Sequence, residues 1–240
     1  MWNNSQTGFQ LKKKTIGIIG GMGPLATADL FKKIIENTPA KNDSEHIRVC
    51  IDSNINIPDR TEAILHGGKD PVPEIVRSAN LLEAMGADLL VMPCNTAHYY
   101  YDRIVEKVHV PIINMLDETA REVVRKGIHR IGLLATDGTI QTGVYERALE
   151  PYGIEILHPS EANQKQVMNL IYGGIKAGNY QIDLTGFYGT LDELKQAGAE
   201  TLILGCTELP LAFSIFSIDR EHIDPTLVLA KSAIRMASTE

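Results

Sequence analysis

The sequence predicts an α/β protein of two similar halves, each an open, mostly parallel sheet with helices on both faces, related by a pseudo-twofold axis. Three observations carry this expectation. Short apolar, β-branched runs alternate with segments of helical periodicity, as strand–helix–strand crossovers require. Gly86-Ala87-Asp88-Leu89-Leu90-Val91-Met92-Pro93-Cys94 lines up with Gly198-Ala199-Glu200-Thr201-Leu202-Ile203-Leu204-Gly205-Cys206, 112 residues on. Ile16-Gly17-Ile18-Ile19 lines up with Ile131-Gly132-Leu133-Leu134, 115 residues on. One such match could arise between any two buried strands. Two at nearly one offset, with a cysteine in register, point to internal duplication.

The elements follow in order. Residues 1–11 are polar and read as a loose tail, and Lys12, Lys13 and Lys14 as a solvated lead-in to the first strand. Residues 15–21 form a short apolar run ending in glycines, a buried strand. Residues 24–38 repeat apolar side chains at helical spacing (Leu25, Ala28, Phe31, Ile34, Ile35), with Pro24 in the first turn. Residues 47–52 are a second strand. Residues 53–73, with Pro58, Gly67, Gly68, Pro71 and Pro73, read as an irregular loop. A helix then runs to Gly86, its terminating glycine. Strands follow at 87–93 and 110–115. By the repeat, Asn114 falls opposite Asp224. The chain is therefore expected to leave a first domain near 115 and return near 224, giving domains of 1–115 plus 224–240 and 116–223.

Composition excludes several classes. Of the 240 residues, 44% are hydrophobic and 22% charged, enough apolar content for a sizeable core. A net charge of −7 supplies no basic face for nucleic acid or an anionic membrane. No apolar run reaches membrane-spanning length, and the N-terminus lacks the apolar core of a secretory signal. Three cysteines, an odd number without such a signal, argue for free thiols in a reducing cytoplasm.

Cys50 lies inside a strand and reads as a small core side chain. Cys94 and Cys206 each end a strand, where open parallel sheets bind ligands. Each precedes residues that could begin a helix, Asn95-Thr96 and Thr207-Glu208. A helix N-terminus lowers a thiol pKa. Two halves facing about a pseudo-twofold would aim both thiols at one cleft. That suits inversion of a stereocentre, in which one group takes a proton from one face while its twin delivers a proton to the other. Asn95, Thr96 and Thr207 could donate hydrogen bonds to a substrate carboxylate.

The segments 92–98 (MPCNTAH) and 204–209 (LGCTEL) resemble the two signatures of the aspartate/glutamate racemase superfamily. The segments 20–27 (GGMGPLAT) and 57–61 (IPDRT) are similar to its aspartate racemase branch. This resemblance spans nearly the whole chain after the tail. It implies two α/β domains with the active site between them, Cys94 and Cys206 as the two bases, no pyridoxal phosphate, and a homodimer; no metal and no other cofactor is expected, since the sequence offers neither C-x-x-C nor H-E-x-x-H spacing and no convincing cofactor motif. It also implies that Asn95, Thr96 and Thr207 hold the α-carboxylate, and it places Arg60 and Lys176 near a second carboxylate, with aspartate as the expected substrate. Asp59 would orient Arg60, and Met22 and Thr136 would line the cleft. The sequence departs from the glutamate racemase branch, with Gly-Met in place of Asp-Ser after the first strand and Glu208 in place of a histidine. Glutamate, or a broad range of amino acids, stays an alternative.

Three other readings compete. Gly21-Met22-Gly23-Pro24-Leu25-Ala26 matches a dinucleotide fingerprint, with Asp52 as the ribose acid, although Pro24 removes a backbone donor. Cys94, His98 and Cys206 could form a zinc site. A two-domain cleft could also bind a small ligand without turnover.

Overall fold

The computed structural model describes residues 13–238, so the expected tail at 1–11 lies outside the described residues. The first half contains β1 (Ile16–Gly20), α1 (Pro24–Asn37), β2 (Val49–Ser53), α2 (Arg60–Leu65), α3 (Val72–Ala84), β3 (Leu89–Val91), α4 (Tyr101–Val105) and β4 (Ile112–Ile113). After α5 (Met115–Arg125) come β5 (Arg130–Ala135), α6 (Asp137–Gln141), α7 (Val144–Leu149), β6 (Glu155–Leu157) and α8 (Glu161–Met168). A π-helical turn over Asn169–Lys176 leads to α9 (Thr185–Gln196), β7 (Thr201–Gly205), α10 (Glu208–Ile215), β8 (His222–Ile223) and α11 (Pro225–Ser238).

The duplication read from the strands is visible in the topology. The two four-stranded sheets have orders β2-β1-β3-β4 and β6-β5-β7-β8, and every recorded pairing is parallel. Sidedness repeats as well. Ile16, Ile18, Leu89 and Val91 face one layer of helices, while Ile19, Leu90 and Met92 face the other. In the second sheet Ile131, Leu133 and Ile203 oppose Leu134, Leu202 and Leu204 in the same way. Both faces of each central strand are thus apolar, as a sheet covered on both sides requires.

The chain crosses between the halves twice. Asn114 Oδ1 accepts from the backbone N–H of Leu116 and Asp117 at the start of α5, and Asp224 Oδ1 accepts from Thr226 and Leu227 at the start of α11. Each is a side-chain cap satisfying orphan donors. Leu116, Ala120 and Val123 of α5 pack on the second sheet. Leu229, Ala230, Ala233 and Ile234 of α11 pack back on the first.

Two expectations need correction. The stretch 53–73 is not an irregular loop throughout, because it contains α2. Its first turn forms because Asp59 accepts the Glu62 N–H at 2.9 Å, and the prolines around it only delimit the helix. In α1 the stripe of Leu25, Phe31 and Ile35 is exposed, at 45%, 36% and 42%, while Ala26, Thr27, Leu30 and Ile34 are buried. The helix carries two interleaved apolar faces, and contact with β1 and α11 selects the one with smaller side chains.

The halves meet closely where α6 approaches α2 and the turn after Cys94. A Cβ built on Gly138 would lie 2.9 Å from Thr61 Oγ1 and 3.2 Å from Thr96 Cγ2. Gly138→Ala should therefore destabilise by about 1–3 kcal/mol through overpacking. Gly189→Ala, in α9 with nothing within 4 Å, should stabilise by about 0.5–1 kcal/mol. Thermal or urea unfolding of both variants checks the pair, and equal shifts would contradict the packing at the seam.

Candidate active site

The site is assembled from the carboxyl ends of equivalent strands. Met22 follows β1 and Thr136 follows β5, while Cys94 follows β3 and Cys206 follows β7. All four line one narrow cavity, together with Asp59, Arg60, Asn95, Thr96, Lys176 and Thr207. Every residue expected at the racemase site is thus brought to one place, whereas Cys50, Asp52 and His98 are not among its lining. Thr61, Tyr172 and Glu208 complete the wall.

The cavity holds polar groups without partners. Arg60 is 7% exposed. Its guanidinium donates to Pro58 O at 3.0 Å and Met22 O at 3.4 Å, yet Nε has no partner. It also lies against the Cys94 thiol. Burial opposes its charge, but Cys94 and Asp59 together raise its pKa. Asn95 is 2% exposed, and its Nδ2 is likewise unpartnered. Its Oδ1 accepts from the Tyr145 hydroxyl at 2.6 Å, which fixes the amide the other way round. A buried donor left unmade costs roughly 1–3 kcal/mol, so both groups are set to gain from an incoming acceptor.

Across the cavity, Lys176 Nζ lies 3.0 Å from Glu208 Oε1. Burial disfavours its charge, but Glu208 and both thiols outweigh that and raise its pKa. The Cys206 Sγ donates to Glu208 Oε2 at 3.0 Å. This overturns the expectation of a lowered thiol pKa at Cys206. Burial, and next the Glu208 carboxylate, push it well up despite Lys176 and the helix N-terminus beside it. Cys94 departs from expectation differently, since a 3-10 turn over Thr96–Tyr100, not an α-helix, follows it.

Hydroxyls join the two halves behind the thiols. Thr96 Oγ1 lies 3.0 Å from Thr136 and 2.8 Å from Thr139, which are 3.1 Å apart. Tyr172 reaches back at 3.5 Å to Asp59 and Thr61, and burial raises its pKa to about 12.

His98 is committed elsewhere. Nδ1 faces Cys94 O at 2.8 Å, and Nε2 accepts the Met115 N–H at 3.1 Å. Both ring nitrogens are used by the backbone, so His98 has no lone pair to offer zinc, and the zinc reading loses its third ligand. The dinucleotide reading fares no better, because the Gly21 N–H is taken by Thr27 Oγ1 at 2.9 Å.

Comparison with known proteins agrees with this geometry. Residues 19–233 match the family model for Asp/Glu/hydantoin racemases. The chain belongs to the Asp/Glu/hydantoin racemase family. Among solved structures, the aspartate racemase of Picrophilus torridus superimposes with a TM-score of 0.84 at 31% identity, covering 93% of this chain and 94% of that one. An aspartate racemase homologue from Pyrococcus horikoshii gives 0.75 at 28%, covering 94% and 100%. The broad specificity amino-acid racemase RacX of Bacillus subtilis is 29% identical over 91% of this chain and 96% of its own length. Among the described residues of this racemase family member, no helix is long and apolar enough to cross a membrane.

Sequence reasoning quoted Glu208 and Thr61 within motifs but gave neither a role at the site, and it passed over Tyr145 and Tyr172. The aromatic pair carries no local signal, since each acts from the opposite half of the duplicated chain.

His98 gives a pH signature. Burial pushes its pKa down to about 4, so the folded protein keeps it neutral. Between about pH 6.5 and 4 the unfolded chain binds more protons there, and stability falls as pH falls, by up to roughly 3 kcal/mol from this group. The stability advantage of wild type over His98→Asn should narrow across that window in urea titrations. A gap that stays constant would contradict a neutral, doubly bonded His98.

Proposed function

We propose that the protein interconverts L- and D-aspartate, without pyridoxal phosphate or metal, by two-base proton transfer at Cα between Cys94 and Cys206. One observation carries the reading: two thiols from equivalent strand ends converge with the unpartnered Asn95 Nδ2 and Arg60 Nε on a single cavity. One thiolate takes the Cα proton, and the electron pair left on carbon spreads into the carboxylate. The opposite thiol then protonates the other face, and its S–H pair stays on sulfur. Asn95, Thr96 and Thr207 hold the α-carboxylate, where negative charge grows in the transition state. Arg60 and Lys176 take the second carboxylate, and Asp59 orients Arg60. Met22 and Thr136 shape the walls.

Aspartate is favoured by the likeness to the Picrophilus torridus aspartate racemase. A second reading, racemisation of glutamate or a broad set, draws on RacX and on Lys176, whose charge is already engaged by Glu208. The proposal carries with it domains of 1–115 plus 224–240 and 116–223, a homodimer, and a reducing cytoplasm in which both thiols stay free.

Chiral chromatography of single amino acids incubated with purified protein tests the function directly. Aspartate should racemise with no added cofactor. Arg60→Ala should lower kcat/KM for aspartate by roughly 30-fold or more, since truncating a desolvated charge pair costs about 2–5 kcal/mol, and should spare alanine by comparison. Equal losses on both substrates would remove Arg60 from second-carboxylate recognition, and loss of turnover unless pyridoxal phosphate is added would remove the mechanism.

A further inference from the structure

The two thiols stand in opposite surroundings. Cys94 faces the guanidinium of Arg60, whereas Cys206 donates its S–H to a carboxylate. That carboxylate, Glu208, is 4% exposed. One oxygen accepts from Cys206 Sγ at 3.0 Å and also from Thr207 Oγ1 at 3.4 Å, and the other meets Lys176 Nζ at 3.0 Å. A Cβ on Gly23 would lie only 3.2 Å from Glu208 Oε1, so glycine there leaves the carboxylate its room.

Resting on the two-thiol reading above, we infer that Glu208 holds Cys206 as the proton-bearing member of the resting pair, leaving Cys94 to act first as the base. A thiolate at Cys206 would sit 3.0 Å from a buried carboxylate, and like charges at that distance in a poorly solvated site repel strongly. The other groups acting on Cys206 do not reverse this. Lys176 attracts a thiolate but is bonded to Glu208, while Tyr145 and Tyr172 approach as neutral phenols whose own pKa values are raised. Arg60 and Asp59 lie on the Cys94 side of the cavity.

The cycle then balances. Cys94 sulfur gains the Cα hydrogen as a proton, and the C–H electron pair stays on the substrate. Cys206 gives its proton to the opposite face and becomes the thiolate beside Glu208. That form either processes the other enantiomer or returns to rest, Cys206 taking a proton from water as Cys94 gives its own up to water. Because enantiomers have equal energy, loss of Glu208 cannot favour one of them in kcat/KM. Its signature is the pH dependence, whose alkaline limb reports the group that must stay protonated.

The test is Glu208→Gln, which keeps the shape and removes the charge. The alkaline limb of kcat/KM should move down by about one pH unit or more, a roughly tenfold change in the Cys206 ionisation constant, while the acid limb stays in place. Iodoacetamide labelling, followed peptide by peptide in a mass spectrometer, reads the same group without needing activity. At fixed pH below its midpoint, Cys206 should label roughly tenfold faster in the variant, and Cys50 should not change. An unmoved limb together with unmoved Cys206 labelling would overturn the inference. If no amino acid is racemised, the function fails and labelling still decides what Glu208 does. If the variant does not fold, Glu208→Asp decides it: drawing the carboxylate back from Cys206 Sγ should speed Cys206 labelling relative to wild type, and an unchanged rate would overturn the inference.

Discussion

The Tyr145 hydroxyl in the second half of the chain donates to Asn95 Oδ1 in the first at 2.6 Å. Tyr145 is fully buried, so this bond forms only when the two sheets are docked with the carboxyl ends of their central strands facing each other. It turns the Asn95 amide so that Nδ2 is left for a ligand. The Thr96, Thr136 and Thr139 hydroxyls close the same seam a few residues away. Cavity shape, the mutual position of Cys94 and Cys206, and the orientation of the unpartnered Asn95 amide all depend on this docking. Such networks are worth most where water is excluded, and they are costly when half made.

Charge then distinguishes two sites that the backbone makes nearly equivalent. The internal repeat puts a cysteine after the same strand of each sheet, but α2 brings Arg60 to one thiol and α10 brings Glu208 to the other. The π-helical turn at Asn169–Lys176 delivers Lys176 and Tyr172 into the cavity from the second half alone. The proposed exchange of acid and base roles needs such a difference at rest, because two thiols or two thiolates could not start it.

Much of this was legible in the sequence for identifiable reasons. The apolar strands, the cysteines at their ends and the offset between Cys94 and Cys206 are local patterns, and they sufficed for both sheets and both thiols. The caps Asn114 and Asp224 were paired correctly because the repeat aligns them. What was missed depends on tertiary contact. The buried face of α1 was misread because two apolar stripes overlap in its sequence, and only the neighbouring α11 decides between them. The lowered pKa expected at Cys206 failed because helix position is a backbone property, whereas the dominant influences, burial and the Glu208 carboxylate, require the folded cavity. Tyr145 and Tyr172 reach their partners from far along the chain, and no periodicity marks them.

The central claim is that one thiol works on each face of Cα. Proton NMR of the Cys94→Ala and Cys206→Ala variants in D₂O, each given L- and D-aspartate separately, addresses it most directly. Neither variant should racemise, since inversion cannot finish with one base missing. Each remaining thiol should exchange the Cα hydrogen of a single enantiomer, and the two variants should choose opposite ones, with Cys206 acting on L-aspartate and Cys94 on D-aspartate. Exchange of both enantiomers at equal rates by either single variant would contradict two-faced proton transfer.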